Sequence, residues 1–309
     1  MKKSLLLALG LALAGRAGAH SVAISQIIDH PALNEVRRGL QDELQAVGSV
    51  KYELENAQGN IAIAQQIAEK FAGLKPDVIV AIGTPAAQAV SNSVQGSIPL
   101  VFAAVTDPVA AKLVSAWDKT DGNITGTSDA VPVAKNVELM LEVVPQLKSL
   151  GTLYNPGEAN SVASVAALKE ALRAKNIELV EAPATKTSEV QEAAATLVDR
   201  VQALYLVQDN TAVSALASVL EVGETAKIPV FTADTALVKQ GAVGAVSFDY
   251  YQVGRTAGRQ VAAILKGKQV SELPVQTPER EELLLNSEAA AKMGVRLPEA
   301  LRARAQLVP

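Results

Sequence analysis

Val78-Ile79-Val80-Ala81-Ile82-Gly83-Thr84-Pro85 reads as a buried strand that halts at a glycine and passes at once into a helix. The run is short, apolar and β-branched, as an inner strand of a parallel sheet requires. Thr84-Pro85 has the form of an N-cap followed by proline at the first helical position. Capping does not need the preceding glycine, however, whereas Gly83 also lets a bound group approach the backbone closely. The same punctuation recurs at Val101-Phe102-Ala103-Ala104-Val105-Thr106-Asp107-Pro108, Leu153-Tyr154-Asn155-Pro156-Gly157-Glu158-Ala159-Asn160-Ser161, Tyr205-Leu206-Val207-Gln208-Asp209-Asn210 and Val230-Phe231-Thr232-Ala233-Asp234. The carboxyl ends of parallel strands are where open α/β sheets hold ligands. A helix starting there offers free N–H groups and a positive dipole end.

Outward from these junctions, strand-like and helix-like segments alternate. Strands are expected at 22–26, 51–55, 77–82 and 100–105, with helices at 32–47, 61–71 and 86–93. The first helix carries Leu33, Val36, Leu40, Leu44 and Val47 at spacings of three and four. Small and polar residues at 123–129 interrupt the pattern. It resumes with helices at 133–144, 161–175, 188–200 and 211–225 and strands at 150–154, 177–181, 203–207 and 230–232. A strand at 242–248, a helix at 252–266 and a strand at 283–286 follow. Alternation of this kind predicts an α/β fold of two Rossmann-like lobes, each a parallel sheet flanked by helices. A return of the chain near Asp234 and a re-crossing within 267–274 would give a three-segment hinge. The expected division is 20–126 plus 235–267 for the first lobe and 127–234 plus 268–309 for the second.

The chain of 309 residues is long enough for two such cores, and 49% hydrophobic with 19% charged residues is a folded composition. It has no cysteine, and His20 and His30 are its two histidines. Disulfides, thiolate metal sites and multi-histidine centres are therefore excluded, and no metal or cofactor is expected. Lys2 and Lys3, the apolar segment 4–14 and Ala17-Gly18-Ala19 form a secretory leader with an A-x-A cleavage site. Its apolar run is too short to span a bilayer. With no cysteine after the cleavage site, no lipid attaches there, so a free periplasmic protein is expected. Removing residues 1–19 takes Lys2, Lys3 and Arg16 with it, leaving 25 basic against 32 acidic residues, a balance of −7. That balance, with no basic cluster, argues against nucleic acid and anionic membranes.

No G-x-S-x-G elbow, phosphate loop, H-E-x-x-H or G-x-G-x-x-G is present. The junctions make better sense as a ligand cradle. Asp107 and Asp209 suit a ligand ammonium, while Thr84 and Ser161 with neighbouring N–H groups suit a carboxylate. His30 follows the first strand just before a helix, which puts it at the cleft mouth. Tyr154, Phe102, Phe231, Tyr250 and Tyr251 stand at or beside junctions and hint at an apolar or ring-bearing ligand. A secreted hydrolase using Asp107, Asp209 and Asp234 is the alternative, as is a ligand sensor that docks on a receptor.

Ile24-Ser25-Gln26 with His30-Pro31-Ala32-Leu33, then Gly83-Thr84-Pro85-Ala86, Asp107-Pro108-Val109 and Asn123-Ile124-Thr125-Gly126, form an ordered set of markers. The set continues with the stretch from Tyr154 to Ser161, Asp209-Asn210 and Asn286-Ser287-Glu288-Ala289-Ala290. In these residues the chain resembles ABC-transporter substrate-binding proteins of the group with tryptophan- and phenylalanine-binding members, over nearly the whole of its length. The resemblance implies the type I periplasmic binding fold and a trap that delivers a small solute, most simply an amino acid, to a membrane permease and its ATPase. By that resemblance Gln26, His30, Thr84, Thr106 and Asp107 come from the first lobe. Asn155, Ser161, Asp209 and Asn210 come from the second, with Asp234 at the hinge.

Overall fold

The computed structural model describes residues 19–118, 120 and 122–308. The expected leader lies outside the described residues, except for Ala19. In the first lobe β1 (His20–Gln26), α1 (Pro31–Leu44), β2 (Val50–Asn56), α2 (Ile61–Leu74), β3 (Val78–Ile82), α3 (Thr84–Val94), β4 (Leu100–Ala103) and β5 (Ile124–Thr127) follow in turn. Their sheet is parallel throughout, in the order β2-β1-β3-β4-β5. All five residues of β3 are buried, as its apolar run requires.

The second lobe opens with α4 (Val133–Val143), β6 (Ser149–Tyr154), α5 (Ala159–Arg173), β7 (Glu178–Pro183) and α6 (Val190–Ala195). It continues with β8 (Ala203–Leu206), α7 (Asn210–Ser214), α8 (Leu216–Ala226) and β9 (Val230–Thr232). Its parallel sheet runs β7-β6-β8-β9, the same winding as the first. Then come α9 (Thr235–Val238), β10 (Gly244–Ser247), α10 (Tyr250–Leu265), β11 (Glu282–Asn286), α11 (Ser287–Lys292), α12 (Glu299–Arg302) and β12 (Gln306–Val308). In both sheets the strand order reverses beside the first strand, between β1 and β3 and between β6 and β8. Ligands of open α/β sheets lie at such switch points.

Several expected boundaries move. Ile124–Thr127, read from sequence as part of an interruption, is the fifth strand of the first sheet. Gly126 is obligatory there, because a Cβ would lie 2.1 Å from the Phe102 carbonyl oxygen and 2.4 Å from its ring. The expected helix at 211–225 is broken at Ala215, whose φ of −106° and ψ of 23° separate α7 from α8. The chain also does not leave the second lobe at Asp234. Leu237, Ala242 and Val243 belong to the second core, and the Val243 N–H bonds to the Val230 carbonyl at 2.7 Å. β10 then pairs antiparallel with β11, so the crossing falls at Phe248 and Asp249, after β10. Phe248 and Val275 pack in the first core, which moves the last crossing to the far side of Val275. There Ser128 N–H donates to the Gln276 carbonyl at 2.8 Å, and Gln276 N–H to that of Gly126 at 2.9 Å. Two hinge segments are thus bonded to each other.

Helix α10 returns to cover the first sheet by packing on α1 without intervening side chains. A Cβ on Gly39 would lie 2.1 Å from the Tyr251 carbonyl oxygen, and one on Gly254 2.0 Å from that of Val36. One on Gly258 would meet Glu43 Cβ at 2.6 Å. Arg255 Nε then donates to Glu43 at 2.5 Å across the same seam. This contact sets the angle at which His30, before α1, and Tyr250, opening α10, meet the cleft. Gly254→Ala is expected to destabilise by about 1–3 kcal/mol through overpacking. Gly73→Ala, in α2 with open space around it, is expected to gain about 0.5–1 kcal/mol. Urea melts of the two variants check both signs.

Candidate ligand-binding site

The two switch points face each other across one cleft, which encloses about 420 Å³ of non-atom space when its solvent-open part is counted. His30, Ala32, Leu33, Thr84, Ala104 and Thr106 line it from the first lobe, and Asp129 and Tyr250 from the hinge. Asn160, Val207, Gln208, Asp209, Asn210, Val213, Thr232, Ala233 and Asp234 line it from the second. The lobes are closed on each other. His30 Nε2 lies 3.4 Å from Asn210 Oδ1, Gln208 Nε2 donates to the Asp129 carbonyl, and α3 lies against α5.

Six of the sequence candidates reach this cavity: His30, Thr84, Thr106, Asp209, Asn210 and Asp234. Four do not line it, and each has its side chain engaged elsewhere. Gln26 binds Asn34 and the Ile28 carbonyl, both at 2.8 Å, and accepts from Arg37. Asp107 caps the turn after β4 through the N–H groups of Val109 and Ala110, which removes it from the carboxylate set of the hydrolase alternative. Asn155 holds Thr211 at 2.9 Å, and the Ser161 hydroxyl donates to Asp209 at 2.6 Å. Asp234 sits in the cavity wall after β9 rather than at the hinge. Of the five junction aromatics only Tyr250 lines the cavity. Phe102 and Phe231 are core, Tyr154 packs on the second core, and Tyr251 stacks under Arg38.

Thr84 does not cap. Helix α3 begins at Thr84, its N-cap is Gly83 at φ 90°, and no side chain caps it. The Thr84 hydroxyl is left buried without a partner on the cavity wall, beside the N-terminal N–H groups of the helix. Ala104, at φ 54°, holds the neighbouring strand end in the left-handed region, where side chains are strained.

Among the described residues three aspartates border the cavity, and no lysine or arginine does. Asp129 accepts from the Thr106 hydroxyl at 3.0 Å and the Tyr250 hydroxyl at 3.1 Å, and burial pushes its carboxyl up. Asp209 accepts from Ala212 N–H, Asn155 N–H and Ser161, yet burial and then the Glu158 charge raise it to about 6. Asp234 takes a single bond, from Ala236 N–H at 2.7 Å, and its Oδ2 has no partner. Burial, then Asp129, carry it to about 7 against the opposing Ala236 bond. His30 goes the other way: burial lowers it to about 4, against the pull of Asn210 and Asp29, so its imidazole is neutral. Acidic, and with no cation among the described residues that line it, the cavity suits a ligand that brings one.

Asp129, Tyr250, Gln208 and Asn160 also belong to the wall, beyond the residues that the sequence pattern singles out. Asp129 falls within the polar interruption at 123–129, and Tyr250 carries no signal beyond being an aromatic near a junction. Asn160 stands in the junction motif one position before Ser161.

The profile of a family described as "ABC transporter substrate binding protein" matches residues 21–308. A tyrosine-binding protein of Clostridioides difficile is 36% identical over 273 residues, spanning 87% of this chain and 79% of that one. An ABC domain from Streptococcus pneumonia in complex with L-Trp is 28% identical, covers 94% of this chain and 100% of its own, and superposes with a TM-score of 0.90. A ligand-free, open substrate-binding protein from Clostridium difficile is 34% identical over 94% of this chain and 99% of its own, but its TM-score is 0.69. The relative of higher identity fits less well, so the lobes here are set as in the L-Trp complex.

Asp234 holds its proton more tightly folded than unfolded, so its contribution lowers native stability as pH rises from about 4 to about 7. His30, depressed to about 4, acts oppositely and loses stability as pH falls below its ordinary 6.5. Asp234→Asn, which keeps the Ala236 bond, is expected to stabilise the ligand-free protein. That gain is expected to grow by about 2–3 kcal/mol between about pH 5 and 8, read from urea melts of both proteins at each pH.

Proposed function

Since the chain belongs to the ABC transporter substrate-binding protein family, we propose that it is the periplasmic capture component of an importer for an α-amino acid with an apolar or aromatic side chain. It closes on the solute between its lobes and hands it to a membrane permease driven by an ATPase. It performs no chemistry on the solute. The observation that carries this reading is the cavity wall, which pairs an unpartnered Asp234 oxygen with an unpartnered Thr84 hydroxyl.

The ligand ammonium pairs with Asp234 Oδ2 in the field of Asp129. Its carboxylate takes the Thr84 hydroxyl and the N-terminal N–H groups of α3, where the helix dipole favours an anion. The side chain lies against Leu33, Val207, Val213 and Tyr250. That the named relatives bind tyrosine and tryptophan supports an aromatic side chain. Asp209 remains bordering the ammonium, but its three donors make it a less available partner than Asp234.

A thermal-shift screen of the twenty amino acids tests the ligand class. At a hundredfold excess over Kd a true ligand adds about 2.7 kcal/mol, a rise in Tm of about 5–10 °C. No response from any amino acid rejects the class. Once a ligand is found, Asp234→Ala is expected to weaken it by about 1.5–3 kcal/mol, and Thr84→Val by about 0.5–1.5. Affinity is also expected to rise as pH rises through about 7, because the ammonium binds ionised Asp234 and displaces its proton. Calorimetry in buffers of different ionisation enthalpy reads that proton directly.

A further inference from the structure

Glu158 is the N-cap residue of α5, yet its side chain caps nothing. It is 5% exposed, and its carboxylate is held by uncharged donors alone. Oε1 accepts from the Thr211 hydroxyl at 2.9 Å and from Asn155 Nδ2 at 3.5 Å. Oε2 accepts from Asn160 Nδ2 at 3.1 Å, from Asn210 N–H at 3.3 Å and from Asn210 Nδ2.

A carboxylate only accepts, so an amide facing it presents its NH2. For two of these asparagines that choice reaches the cavity. With its Nδ2 held by Glu158 and by the Gln208 carbonyl at 2.9 Å, Asn160 has Oδ1 as its unpartnered end, on a residue that lines the cavity. With its Nδ2 on Glu158, Asn210 turns Oδ1 to His30 Nε2 at 3.4 Å. An amide oxygen cannot donate, so Nε2 carries the ring proton. His30 Nδ1, buried and unpartnered, is then a bare acceptor.

We infer that Glu158 is a positioning residue that sets the ligand preference of the cavity. By orienting Asn160 and Asn210, and through Asn210 the tautomer of His30, it turns groups of either polarity into acceptors. That wall then selects a solute carrying N–H donors over one of the same shape without them. The identity of the solute rests on the amino-acid reading above; the amide and tautomer assignments do not. Glu158→Gln replaces the acceptor pair with a group that also donates, and frees the asparagines to turn.

Two measurements test the inference. The first is long-range ¹H–¹⁵N spectra of the imidazoles, assigned with a His20→Gln variant since the chain has two histidines. They are expected to show His30 of the parent protein as the Nε2–H tautomer, and Glu158→Gln to add the Nδ1–H form. The second is calorimetry with L-tyrosine and with 3-(4-hydroxyphenyl)propanoate, which lacks the amine. The preference for L-tyrosine is expected to fall about tenfold or more in Glu158→Gln, whereas loss of packing alone weakens both probes alike. An Nδ1–H tautomer in the parent protein overturns the inference without any variant. So does an unchanged preference in a folded Glu158→Gln protein. If neither probe binds either protein but the tautomer shifts in Glu158→Gln, the amino-acid reading fails and the positioning role stands.

Discussion

The carboxylates of Asp129, Glu158, Asp209 and Asp234 are all buried, each at most 5% exposed, and among the described residues no lysine or arginine lines the cavity that three of them border. A buried anion without a counter-charge is among the most expensive groups a protein can hold. Here donors from the surrounding chain offset the expense. Glu158 and Asp209 collect theirs from the starts of α5 and α7, Asp129 from Thr106 and Tyr250, and Asp234 has the fewest. The loops that carry these residues must therefore keep their conformations, because each supplies another's hydrogen bond. Asp129 binds the first lobe through Thr106 and α10 through Tyr250, while its carbonyl receives Gln208 of the second lobe. The point where the chain crosses between lobes is also a cavity wall, so lobe position and ligand occupancy share one set of bonds.

Geometry around this acidic centre follows from winding. Both sheets place their first strand inside the order, which brings the ends of β1 and β3 opposite those of β6 and β8. The aspartates divide the labour that follows. Asp209 and Asp249 act as N-caps. Asp234 caps with one oxygen and keeps the other for the cavity. Thr84, which has the residue type of a cap, is displaced from that role by Gly83 and is released for the ligand.

Much of this was legible in the sequence, and what was not has a physical cause. Strand ends such as Val78 to Gly83 and Leu204 to Asp209 announce themselves by a change from apolar to polar residues. That change is local, and it located the cleft. Strand Ile124–Thr127 gave no such signal, because its burial depends on Phe102 lying over Gly126, a contact between distant residues. The crossing after β10 was hidden for a similar reason: β10 belongs to the second lobe only through its pairing with β11. Within the site, the residue types at the junctions were readable but their aims were not. Asp107 and Asp209 look alike in sequence, and one closes a turn while the other borders the cavity. Nothing local marks Glu158 as the anchor of two amides, since its partners at Asn210 and Thr211 are about fifty positions away.

The seam between α1 and α10 joins Glu43 to Arg255, 212 positions apart. Until α10 has been synthesised, the face of the first sheet that it covers has no partner, although every strand of that sheet is already in place. The second lobe likewise takes β12 from residues 306–308, far along the chain from its first strand β6. Neither lobe is a unit that finishes early. Closing contacts of such long range makes folding slow and leaves apolar surface exposed while it proceeds. A chain of this design reaches its native state late and as a whole, with both cores still open while most of it is being made.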